Sequence, residues 1–158
     1  MKRLLDINTW IALTVETHPQ HAASREWYAG VELLHGDLLF CRQTELGFVR
    51  LVTQKPVMSQ CSAAPLTNAE AVEFLAKVYD DPAVSRVDEP AATRSLWLEL
   101  ADRSQAAPNI WMDAYLAAFA IALGAEMVTF DSGFSVYQKR GPIVTACGTT
   151  RQRAAARQ

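Results

Sequence analysis

Cysteine is scarce, with three in 158 residues (Cys41, Cys61 and Cys147), an odd number without metal-ligand spacing. That excludes a disulfide framework and a cysteine-held zinc, and it suits a reducing cytoplasm. Long apolar runs are also missing. The most apolar stretch, near 110–124, is too short to span a membrane and contains Asp113. Met1-Lys2-Arg3 has the basic start of a signal peptide, but Asp6 and Asn8 interrupt the apolar segment such a peptide needs. Positive charge is in short supply: 15 Lys and Arg face 17 Asp and Glu, so nucleic-acid binding cannot rest on overall charge. No internal repeat or domain linker is present. Half the residues are hydrophobic and a fifth are charged, which describes one globular domain with a real core.

Strand-like and helix-like segments alternate. Lys2 to Asp6 reads as a first strand, and Asn8 or Thr9 can cap a helix to about Glu16. A second helix runs from Pro19 toward Leu34, and Asp37 to Cys41 is the second strand. Gln43 to about Gln54 is helical, and Lys55 to Leu66, with two prolines, reads as irregular. Thr67-Asn-Ala-Glu70 matches a capping box opening a helix to Tyr79. A weak strand at Val84–Val87 and a helix from Pro90 to about Ser104 follow. Ile110 to Leu123 is helical and apolar on every face, as a buried helix is, and Gly124 is its stop. Met127–Phe130 is a short buried strand, and Gly141 to Ala146 a last edge strand. This alternation predicts an α/β fold, a parallel central sheet of about five strands flanked by helices. Residues 1–148 form that domain, and 149–158 form a short basic tail.

Four acids interrupt this core pattern. Asp6 ends the first strand, Asp131 follows the strand at 127–130, and Glu45 and Asp113 lie in the first turns of helices. A lone buried carboxylate is costly. Taken singly, each has an ordinary reading as a turn, N-cap or helix-dipole residue. Taken together, they fall at the edge where parallel sheets bind ligands. Carboxylates brought together repel one another, and a divalent cation removes the repulsion. Oxygen ligands without Cys or His favour Mg²⁺ or Mn²⁺ over Zn²⁺. Such a site suits phosphodiester hydrolysis.

The residues that carry these acids have a family likeness. Leu5-Asp6-Ile-Asn8-Thr-Trp10, Gln43-Thr44-Glu45-Leu-Gly-Phe-Val-Arg50, Asp113-Ala-Tyr-Leu-Ala-Ala-Phe-Ala and Thr129-Phe-Asp131-Ser-Gly-Phe134 resemble, in order, the motifs of PIN-domain ribonucleases. They are most similar to the VapC toxins of bacterial toxin–antitoxin pairs. The resemblance implies a single PIN-like domain and an endoribonuclease dependent on Mg²⁺ or Mn²⁺. It implies a homodimer, inhibition by a VapB-type antitoxin, and RNA as substrate. By motif position Asp6, Glu45, Asp113 and Asp131 form the acidic, metal-binding quartet, with Asp6 and Asp113 its principal ligands. Asn8 and Thr129 are the supporting polar residues that orient the carboxylates.

Other readings compete. Asp6-Ile-Asn8-Thr9 after a strand resembles haloacid-dehalogenase-like phosphatases, with Asp6 as covalent nucleophile, although Asn8 stands where their second Asp belongs. A non-catalytic PIN domain that binds RNA or a partner is a third reading. His18 and His21 read as surface residues, and the four tryptophans as packing residues, with Trp10 and Trp111 placed beside the pocket by their motifs. Ser132 and Thr9 read as caps, the cysteines as core, and Arg151, Arg153 and Arg157 as a frayed or RNA-contacting tail.

Overall fold

A computed structural model describes residues 1–140 and 144–146. The expected basic tail at 149–158, with its three arginines, lies outside the described residues, as do Cys147 and the start of the expected edge strand at Gly141–Pro142. The elements follow in order as β1 (Arg3–Leu5), α1 (Ile7–Thr14), α2 (His21–Gly30), β2 (Leu38–Phe40), α3 (Arg42–Val52), α4 (Lys55–Gln60) and α5 (Asn68–Tyr79). Then come β3 (Val84–Arg86), α6 (Thr93–Ala101), α7 (Ile110–Leu123), β4 (Glu126–Thr129), a 3₁₀ segment (Ser132–Arg140) and β5 (Val144–Ala146). All strand pairs are parallel, in the order β3-β2-β1-β4-β5.

The central strands are apolar and buried on both faces, as parallel strands covered by helices are. Leu4 is in register with Leu39 and with Met127, and Leu5 with Val128. Strand alternation sends these to opposite faces. Leu5, Phe40 and Val128 pack with Trp10, Trp27, Phe48 and Met58 from helices α1 to α4. Leu4, Leu39 and Met127 pack with Leu100 of α6, and with Leu116 and Phe119 of α7. Trp10 stacks on Phe40, with centroids 3.9 Å apart and an 8° interplanar angle, so Trp10 is core. Cys41 and Cys61 are buried and free.

Two local readings change. Lys55–Gln60 is a helix, because Pro56 occupies its first turn, where a missing N–H costs nothing. Helix α7 is not buried all round. Trp111 is 49 % exposed and Met112 38 %, and only from Ala114 onward does the helix enter the core. Gly124 closes it in the left-handed conformation, φ 65°.

Helices α1 and α3 meet at Gly47, where a Cβ would lie 2.2 Å from Ile7 Cδ1 and 2.8 Å from Cγ1. Gly47→Ala gains helix propensity but overpacks this contact. The expected net loss is about 1–2 kcal/mol, read by urea denaturation. Adding Ile7→Val, which removes Cδ1 but keeps Cγ1, relieves the nearer overlap and recovers only part of it.

Candidate active site at the carboxyl edge of the sheet

The chain leaves β1 toward β2 on one side of the sheet and leaves β4 toward β5 on the other. The order reverses between these neighbours, and open parallel sheets bind ligands in the crevice outside the strand ends at such a point. Asp6 follows β1 directly and is itself the N-cap of α1, its Oδ1 accepting the Thr9 N–H at 2.6 Å. Neither Asn8 nor Thr9 is the cap. Thr129 ends β4; its hydroxyl donates to Asp6 Oδ2 and accepts the Asp131 N–H at 2.9 Å. The Thr9 hydroxyl donates to the Val128 carbonyl at 3.3 Å. Asp131 Oδ1 accepts the Gly133 N–H at 2.7 Å. One buried hydroxyl therefore links the first and last acids across the reversal point.

Asp113, in the first turn of α7, has no hydrogen bond or ion pair among the described residues. Burial pushes the Asp6 carboxyl above its ordinary 3.8, in spite of the Thr129 and Thr9 hydrogen bonds, and the Asp131 charge adds to the rise. Burial also raises Asp113, followed by the charges of Asp131 and Asp6. Asp113 in turn acts on Tyr137, whose hydroxyl is raised mainly by burial. Asp6, Asp113 and Asp131 thus share one electrostatic neighbourhood. No lysine or arginine pairs with any of them among the described residues.

Glu45 stands differently. The Thr44 hydroxyl accepts the Cys41 N–H at 3.0 Å, fixing the start of α3. The Glu45 carboxylate then accepts the Tyr79 hydroxyl at 3.0 Å and faces Arg42 at 3.6 Å. It is not among the charges acting on Asp6 or Asp113. Asn8 is exposed and makes no hydrogen bond among the described residues; the Thr9 N–H and the Thr129 hydroxyl are what orient Asp6. As the side chains stand, no three Asp, Glu, His or Cys residues enclose an ion among the described residues. The donor chemistry fits a hard divalent cation all the same: Asp6 and Asp113 are made costly by burial and by the neighbouring Asp131 charge, none of the three faces a lysine or arginine among the described residues, and Asp113 has no contact fixing its rotamer.

Burial and the charges of Asp131 and Asp6 make the charged form of Asp113 costly to the fold. The relative stability this gives is fully present below 3.8 and is lost as pH rises through the raised folded value, above which the metal-free protein carries the cost of the charge. Asp113→Asn should raise the metal-free Tm at pH 7 by ~2–4 °C, the gain shrinking as pH falls toward 4.

A strand-end Asp, a helix-borne Asp and a second strand-end Asp share the reversal point of a parallel sheet, which defines an acid-centred α/β fold. The chain belongs to the PIN-domain family, whose pattern matches residues 3–140. It is similar to Ribonuclease VapC41 of Mycobacterium tuberculosis, 41 % identical over 135 residues that cover 85 % of this chain and 92 % of that protein. Ribonuclease VapC44 of the same organism is 31 % identical over 139 residues, covering 86 % and 90 %. The crystal structure of Mycobacterium tuberculosis VapC20, described as a toxin cleaving the sarcin–ricin loop, shares the fold. Its TM-score is 0.57 at 16 % identity, over 85 % of this chain and 94 % of that one.

Proposed function

We propose that this protein is a metal-dependent endoribonuclease, the toxin of a type II toxin–antitoxin pair. It acts as a cytoplasmic homodimer restrained by a VapB-type antitoxin. The observation that carries this reading is the unpaired cluster of Asp6, Asp113 and Asp131 at the sheet's reversal point, in a PIN-domain chain similar to ribonucleases. No helix among the described residues is long and apolar enough to cross a membrane.

Asp6 and Asp113 are the principal ligands for Mg²⁺ or Mn²⁺, Asp131 a further one, and Glu45 the fourth acid of the set. When bound, such a cation polarises the phosphoryl oxygen and lowers the pKa of a water. The residues themselves prepare the site. The Thr9 N–H and the Thr129 hydroxyl hold both oxygens of Asp6 in place, which limits the reorganisation that binding requires. Tyr79 and Arg42 fix the Glu45 carboxylate, whose role in this reading is to orient a water or a ribose hydroxyl. Asn8, which stands where such phosphatases carry their second Asp, is exposed and without a hydrogen bond among the described residues, which disfavours a covalent phosphatase with Asp6 as nucleophile.

The test is cleavage of total cellular RNA with Mn²⁺, Mg²⁺ or chelator. Discrete fragments with either ion and none with chelator are expected. Intact RNA under every condition would sink the reading and leave a binding domain.

A further inference from the structure

The carboxyl end of β3, the start of α3, α6 and α7 line a cleft of about 510 Å³, within the span of small-ligand sites. Its walls are aromatic. Trp111 packs edge-on against Trp97 at 5.9 Å, and Trp97 against Tyr115 at 6.2 Å. The Trp97 Nε1–H donates to the Trp111 carbonyl at 3.0 Å. These contacts hold a half-exposed indole in place before anything binds, which lowers the ordering cost of binding.

The rim is polar and mixed in charge. Arg42 and Arg86 are both exposed. Glu89 accepts the Tyr115 hydroxyl through Oε2 at 2.7 Å, leaving Oε1 to accept another donor. The cleft is linked to the fourth acid of the set: Arg42, which lines it, faces the Glu45 carboxylate at 3.6 Å.

We propose that this cleft takes one unpaired nucleobase of the RNA, next to the bond that is cut. The base stacks on Trp111, its edge gives an N–H to Glu89, and the flanking phosphates meet Arg42 and Arg86. The proposal rests on the ribonuclease reading and names how that site selects its substrate. Sequence-specific RNA recognition takes splayed single-stranded bases, stacks them on aromatic rings and reads their edges. A carboxylate selects edges that present N–H donors. Arg42 and Arg86 flank the aromatic cleft; Glu45 and Asp88 face them at 3.6 and 3.2 Å, and ion pairs with such exposed arginines are weak enough to yield to a backbone phosphate.

The test is equilibrium binding of labelled RNA octamers (rA8, rC8, rU8) and an abasic ribose-phosphate octamer. Ca²⁺ is present as a hard ion for the carboxylates. The full-length protein should bind at least one base-bearing octamer about 5- to 150-fold tighter than the abasic one, the value of stacking one base. Trp111→Ala should reduce that ratio to about twofold or less while leaving abasic affinity unchanged, and Trp111→Phe should restore most of it. Equal affinity for abasic and base-bearing octamers would overturn the proposal, and so would a Trp111→Ala loss equal on both. Unchanged octamer affinities, with sedimentation shifted from dimer to monomer, would make the cleft a protein contact and also overturn it. A protein that cuts RNA without discriminating bases refutes only the cleft. One that discriminates without cutting refutes only the enzyme.

Discussion

Asp6→Asn should leave a folded protein that cuts RNA more slowly by a factor on the order of 10²–10⁴, as for loss of a positioned catalytic group. The fold survives because Asn caps helices as well as Asp, and its oxygen still accepts the Thr9 N–H. What disappears is the negative charge that burial and Asp131 already make costly, the property a divalent cation would exploit. Initial rates on a defined RNA, beside circular dichroism and Tm, separate the two effects. Parental rates from a folded Asp6→Asn protein would remove Asp6 from the site.

The second large effect is on stability. A ligand bound only by the native state at a hundred times its Kd adds about 2.7 kcal/mol. In a chain of this length that raises Tm by ~5–10 °C. Mn²⁺ and Mg²⁺ should give the wild-type protein a rise of this size, and Asp113→Asn should lose most of it, since that variant has already shed the repulsion the ion relieves. Thermal scans with and without cation read the difference directly. An equal rise in both proteins would place the ion elsewhere.

The sheet was legible because its strands are short apolar runs separated by helical periods. Asp6, Asp113 and Asp131, which the structure brings into one electrostatic neighbourhood, stand out in the sequence because charge is conspicuous in such runs. What the sequence concealed has particular causes. Lys55–Gln60 read as irregular because Pro56 was counted as a breaker, whereas in a first helical turn it is compatible with helix. Helix α7 read as buried throughout because composition does not record that its first turn projects past the sheet, which exposes Trp111 and Met112. The cap of α1 was assigned to Asn8 or Thr9, although Asp6 with Thr9 three residues on is an ordinary N-cap spacing and could have been read. The Tyr79 contact of Glu45 joins α5 to α3 across 34 residues, a tertiary packing that no local pattern signals, whereas Arg42 and Glu45 are an i,i+3 pair within α3 that the spacing does signal. The quartet expected from motif order therefore resolves into a coupled trio, Asp6, Asp113 and Asp131, with Glu45 held by its own partners.

The most direct test is a crystal grown with Mn²⁺ and measured for anomalous scattering at the manganese edge. A peak in contact with both Asp6 and Asp113 is the expected result, with the Asp113 side chain rotated onto it. Full manganese occupancy elsewhere, with those two carboxylates left apart and protonated, would contradict the view that this acid cluster is built to hold an ion.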